Sequence, residues 1–212
     1  MSDNNYHTTR LKADEKRTVL WSVLTPYLQR FIPGEATVMD FGAGHCDFIN
    51  GVIAKQKIAF DQWDGIRNAV QPGITTIVGD YSELASLPES SVDVIFASNI
   101  FEHFTTEDLA KVFTVLHRLL RPGGKLICLQ PNFYYAYRSY FDDYTHKSVW
   151  THVSLPDFLA VNGYVPTFVK ADFLPLTVKS RLPVFPVLIR AYLLSPVRPM
   201  AGQMLVVAEA RK

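Results

Sequence analysis

The chain has 212 residues, a formal net charge of +1, 48% hydrophobic residues and 19% charged ones. That length supports one substantial hydrophobic core, the composition excludes a disordered chain, and the charge supplies no global field to recruit nucleic acid. No apolar run reaches the roughly 20 residues that a membrane span needs, and the polar start shows no secretory pattern, so a cytoplasmic protein is expected.

A single domain over 1–212 is expected. Apolar residues at helical spacing, among them Val19, Leu20, Val23, Leu24 and Leu28, predict an N-terminal helix over about 9–31, ended by Pro33-Gly34. The β-branched run at 37–41 predicts a first strand. A turn, Gly42-Ala43-Gly44-His45, follows, and then a helix over 46–54. A second strand is predicted at 57–61, a short helix near 63–70, a third strand at 74–78 and a fourth at 92–97. Thr105 suits an N-cap, with Glu107 and Asp108 in the first turn of a helix to about 120. Arg121-Pro122-Gly123-Gly124 breaks that helix before a fifth strand at 125–129. A helix at 155–161 and strands at 164–170 and 203–210 complete the order. Such β-α alternation predicts an α/β fold, a doubly wound Rossmann-like sheet of seven mostly parallel strands with helices on both faces.

Two stretches exceed a minimal fold: an aromatic loop at 131–152 and a proline-punctuated apolar insertion at 172–202. Connections of this length are often functional. Cys46 and Cys128 lie too far apart for a metal or disulfide pattern and read as buried thiols in a reducing compartment.

The first strand and its turn carry the chemistry. A glycine turn at the carboxyl end of a parallel strand makes a nucleotide-type pocket. Gly42 and Gly44 permit positive φ and close backbone approach. A dinucleotide fingerprint ends in a third glycine, but Asp47 stands there, and a carboxylate is poorly suited to a pyrophosphate. The turn therefore suits a nucleoside without phosphates better than NAD. Asp61 follows Asp40 by 21 positions, where an acid ending the second strand accepts both ribose hydroxyls; Asp64 is its local competitor.

These residues resemble the first motif of the class I S-adenosylmethionine (SAM)-dependent methyltransferases, and the resemblance continues over about 37–130. It implies that the C-terminal strand of the sheet is antiparallel, and it favours Asp61 for the ribose. It implies that Asp80 accepts the adenine amine and that the Tyr81 amide meets a ring nitrogen, against the alternative that Asp80 caps the turn at Ser82-Glu83. The segment from Ser91 to Asn99 resembles the family's fourth motif, which sets Ser98 and Asn99 beside the methionine part of the cofactor. Leu119-Leu120-Arg121-Pro122-Gly123-Gly124 resembles its helix-to-strand turn, with architectural glycines. Cys46 departs from the pattern, since the family often has glycine there.

Methyl transfer requires donor and acceptor in line with water excluded, and an alcohol acceptor also needs a base. His103, beyond the fourth strand, and His146, in the aromatic loop, are the two candidates. Glu102 reads as a solvated acid leading a helix, and His117 as helix surface. Tyr134, Tyr135, Tyr137, Tyr140 and Tyr144 offer flat faces for a ring-shaped ligand or an ordinary lid. No metal is expected, because Asp142-Asp143 is one local pair without partners. The segments at 141–146, 173–180 and 202–207 look like bacterial methyltransferases associated with surface-polysaccharide assembly, which implies a sugar or lipid-linked glycan hydroxyl as small-molecule acceptor. The apolar stretch at 182–194, near Arg190 and Arg198, suits contact with a membrane surface, with the protein's own core or with the partner of a homodimer. An NAD-type oxidoreductase and a non-catalytic binding module are the competing function classes.

Overall fold

The computed structural model describes residues 14–176 and 184–212. The start of the expected first helix, 9–13, and the part of the insertion at 177–183, with Arg181, lie outside them. Helix α1 (Glu15–Leu28) opens on Asp14, whose side chain accepts from the Lys16 amide, and a 3-10 turn (Gln29–Phe31) ends it. Then follow β1 (Thr37–Phe41), α2 (Asp47–Gly51), β2 (Gln56–Asp61), α3 (Ile66–Ala69), β3 (Thr75–Val78) and β4 (Val92–Ser98). Helix α4 (Thr106–Leu119) leads into β5 (Leu120–Pro131), and α5 (Phe133–Ala136), α6 (Ser154–Val161), β6 (Tyr164–Pro175), α7 (Pro186–Leu194) and β7 (Ala201–Ala210) complete the chain.

The seven strands form one sheet in the order β3-β2-β1-β4-β5-β7-β6. Pairings among β1 to β5 are parallel, and β7 runs antiparallel to both its neighbours. This is the Rossmann-like, mostly parallel sheet that the β-α alternation predicts, with the reversed last strand that the resemblance implies. The central strands are buried on both faces, as parallel strands between helical layers must be. Their side chains alternate: Met39, Phe41, Ile95, Leu126 and Cys128 pack toward α4 and α6, while Val38, Val94, Phe96, Ile127 and Leu129 pack toward α1 and α2.

Several boundaries differ from the sequence expectation. Cys46 lies outside the second helix, with φ +60° in the left-handed region. The αL geometry explains why glycine suits this position. Strands β5, β6 and β7 are longer than predicted because pairing extends beyond the apolar runs: Leu120 pairs with Val92 of the parallel β4, and on the antiparallel side Gln130 pairs with Met204 and Leu174 with Gln203. The aromatic loop contains α5 and a 3-10 turn (Tyr140–Asp142). Within the insertion, α7 buries Leu193 against the α1 side of the sheet and leaves Phe185, Val187, Leu188 and Leu194 exposed. No helix among the described residues is long and apolar enough to cross a membrane. His117 is not simply helix surface: its Nε2 lies 3.2 Å from the Gly163 carbonyl and 3.3 Å from that of Arg211. It ties α4 to the start of β6 and the end of β7, which lie side by side.

Candidate functional site

The sheet brings the carboxyl ends of β1, β2 and β3 side by side, with Phe41 paired to Phe60 and Asp61 to Val78. The turn after β1 takes the backbone shape its glycines allow, with φ +80° at Gly42 and +51° at Gly44. A Cβ on Gly42 would stand 3.0 Å from Ile100, so the glycine also lets the segment after β4 close over the turn. The amides of Gly42 and Ala43 both donate to the Phe60 carbonyl.

Asp61 holds this turn. One carboxylate oxygen accepts from the Gly44 amide at 2.7 Å, and the other accepts from the Trp63 amide at 2.8 Å. Asp40 sits beneath, only 3% exposed. Its carboxyl is pushed up to about 8 by burial and then by Asp61, with Arg17 and the Ile49 amide opposing. Asp40 therefore braces the turn from the core side instead of lining its surface. Asp80 ends β3 next to them, where the Gly79 amide donates to the Asp61 carbonyl. Asp80 is exposed and caps the 3-10 turn at Tyr81–Ser86 by accepting from the Ser82 amide at 2.7 Å, and Tyr81 is half-buried beside it. At the end of β4, Ser98 is half-buried and Asn99 takes φ +50°. The Asn99 amide donates to the Leu129 carbonyl.

The charge around the turn decides between ligand classes. The Cys46 thiol is pushed up to about 12, first by burial and then by Asp40, Asp61 and Asp47. The carboxylates of Asp61 and Asp47 give the glycine turn a negative field, with Arg17 paired to Asp47. Such a field opposes a pyrophosphate and suits a ligand carrying ammonium and sulfonium charges. The residues present therefore fit SAM.

The second half of the site is built from two distant segments. A 3-10 turn (Phe101–His103) follows β4, and the stretch from Asp143 to Ser148 folds onto it. The amides of Lys147 and Ser148 donate to the Glu102 carbonyl at 2.8 and 3.1 Å. Tyr140 is fully buried, and its hydroxyl donates to the Ser148 carbonyl. The aromatic loop is thus anchored at Tyr140 and Trp150, whereas Tyr134, Tyr135, Tyr137 and Tyr144 are exposed.

Glu102 overturns its reading as a solvated acid. It is 1% exposed, because the loop segment covers it and its 3-10 turn points the side chain inward. Burial pushes its carboxyl up to about 8, and its Oε2 has no hydrogen-bond partner. Flanking Phe101 and Phe104 were the signal available in sequence, since an acid between two apolar side chains ahead of an N-cap is poorly placed for solvent.

His103 and His146 come together with ring centroids 5.2 Å apart. Thr145 orders His103. Its hydroxyl donates to Asp143 at 2.6 Å and lies 3.0 Å from His103 Nδ1. Bonds from Thr145 hold Asp143 below the usual carboxylate range although burial pushes the other way. The single hydroxyl proton therefore goes to Asp143, and the Thr145 oxygen accepts from His103 Nδ1–H. That fixes the tautomer with its lone pair on Nε2. Burial, and then His146, make His103 harder to protonate. Sequence reasoning named both histidines but missed the Asp143–Thr145 pair that orients one of them.

Residues 39–128 match the family described as a methyltransferase domain. A comparison with curated proteins gave no match. Among solved structures, the chain is similar to a SAM-dependent methyltransferase from Archaeoglobus fulgidus at 20% identity and a TM-score of 0.64, covering 89% of this chain and 94% of that one. It is similar to an S-adenosylmethionine-dependent methyltransferase from Mesorhizobium loti at 19% identity and TM-score 0.62, over 87% and 96% of the two chains. The 1,6-didemethyltoxoflavin-N1-methyltransferase of Burkholderia thailandensis, solved with S-adenosylhomocysteine, is 16% identical, with TM-score 0.62 over 99% and 85%. The fold is that of the class I methyltransferases. With the family match, it supports a SAM-dependent methyltransferase, with SAM as the cofactor.

Proposed function

We propose that the chain methylates a hydroxyl oxygen of a small cytoplasmic acceptor of the sugar or lipid-linked glycan kind. SAM, when bound, supplies an electrophilic methyl on a sulfonium. In this reading Asp61 holds the ribose hydroxyls, while Asp80 and the Tyr81 amide hold the adenine. Ser98 and Asn99 face the methionine part, and Gly42 and Gly44 let the backbone approach. The one observation that carries the oxygen assignment is the Asp143–Thr145–His103 chain at the mouth of β4. An alcohol needs help to lose its proton, and an oriented neutral imidazole provides it. His146 stands beside His103 and lines the same rim. The exposed rings of Tyr134, Tyr137 and Tyr144 are apolar faces with polar tips, which suit the faces of a sugar ring.

Incubation with methyl-labelled SAM and fractionated cell extract, followed by mass identification of the product, tests the proposal. The expected result is an O-methylated carbohydrate whose formation His103→Ala reduces by about 100-fold or more. An N- or C-methylated product overturns the oxygen assignment. SAM binding without transfer to any fraction would mark a non-catalytic module.

A further inference from the structure

Glu102, His103 and His146 each offer a ligand atom, and these atoms lie within 4.8 Å of one another. Glu102 is 1% exposed, and the His146 side chain only 9%. Glu102 Oε1 stands 3.9 Å from His146 Nε2, too far for a direct hydrogen bond. The separation matches two donors on one ion, since metal–ligand bonds of about 2.0–2.2 Å set neighbouring donors about 3–4 Å apart. A pair as wide as 4.8 Å needs to close by about 1 Å to reach that range. The other carboxyl oxygen, Oε2, is buried without a hydrogen-bond partner, and leaving a buried polar atom unpaired costs stability.

We infer that Glu102, His103 and His146 form a binding site for a first-row divalent cation, which grips the acceptor's oxygen. Two imidazoles and one carboxylate select a borderline transition ion such as Zn²⁺ or Mn²⁺ over Mg²⁺, which prefers oxygen donors. Three protein ligands leave coordination positions for an acceptor hydroxyl and water. Thr145 and Asp143 complete the pattern: a metal-bound imidazole donates its other N–H to a fixed oxygen, which sets its orientation, and His103 Nδ1 has that oxygen at 3.0 Å. The cation lowers the cost of releasing the hydroxyl proton to solvent water. With the ion in place, the Nε2 lone pair that otherwise takes the proton becomes a ligand, and His103 and His146 act on that proton through the ion. The inference rests on the proposed function only for where the acceptor lies.

The test uses the full chain, stripped with EDTA and titrated calorimetrically with Zn²⁺, Mn²⁺ or Mg²⁺, with S-adenosylhomocysteine (SAH) titrated in parallel. One equivalent of Zn²⁺ or Mn²⁺ is expected to bind more tightly than Mg²⁺. Glu102→Gln and His146→Gln should each weaken that binding by at least about tenfold, since loss of a mere outer partner costs about 10- to 100-fold. Unchanged SAH affinity in both variants reports an intact fold. Should Glu102→Gln unfold the chain, His146→Gln and Thr145→Val carry the test. Absence of saturable binding, or variants that bind the cation as the parent does, overturns the site. SAH binding without cation binding sinks this inference alone, whereas cation binding without SAH binding upholds the site and sinks the methyltransferase reading.

Discussion

The glycine turn after β1 and the rim beyond β4 lie on the same edge of one sheet, yet they are built in opposite ways. The turn is a backbone device. Gly42, Gly44 and Cys46 take positive φ within five residues, and Asp61 ties the loop through main-chain amides. The rim is a side-chain device, in which Glu102 and His103 meet His146 from a segment some forty residues later. A local device tolerates variation outside its few turn residues, whereas a long-range one depends on how the loop is anchored. The first half of the site should therefore fail through geometry or charge, and the second through mispositioning.

Asp61→Ala is the sharpest break. It removes two charge-assisted bonds that shape the turn, together with the expected ribose acceptor, so SAH affinity measured by calorimetry should fall by about 100-fold or more. Thr145→Val separates the halves. It leaves the turn intact, so SAH affinity should stay within about threefold, while methyl transfer drops about tenfold to 100-fold because His103 loses its orientation. Equal losses in binding and turnover would erase the contrast between the two halves.

Gly42→Ala probes the close approach at the turn. It imposes a left-handed alanine and a Cβ 3.0 Å from Ile100, and denaturant unfolding should show a loss of about 1–2 kcal/mol. The effect of Asp40→Asn depends on pH and is smallest at about pH 4. Folded Asp40 holds its proton to about pH 8, whereas an unfolded aspartate releases it near about pH 4. Between those values the folded state binds more protons than the unfolded state, so the stability contributed by Asp40 falls as pH rises. Asparagine cannot titrate. The melting temperature of the variant relative to the parent should therefore climb from pH 4 to pH 8, and a constant difference would remove Asp40 from its buried place under the turn.

The same contrast governs what could be read from residues alone. The succession of strands and helices along the chain, the turn, the acid at the end of β2 and the N-cap Thr105 were legible, because each depends on neighbours within a few positions. Thr105 accepts from the Asp108 amide as expected. Asp80 was open between adenine ligand and cap, and its side chain occupies the cap position. The burial of Glu102 and the orienting pair Asp143–Thr145 were not legible, because both depend on how residues 143–148 fold onto the 3-10 turn after β4.

By itself, then, the sequence determined the sheet, the acid-lined glycine turn and the class of ligand that the turn's charge admits. Periodicity and backbone preference act locally and survive without knowledge of the fold. Only the tertiary structure decided that an acid expected in solvent is buried against two histidines, since that placement follows from packing between segments that sequence spacing leaves unconnected.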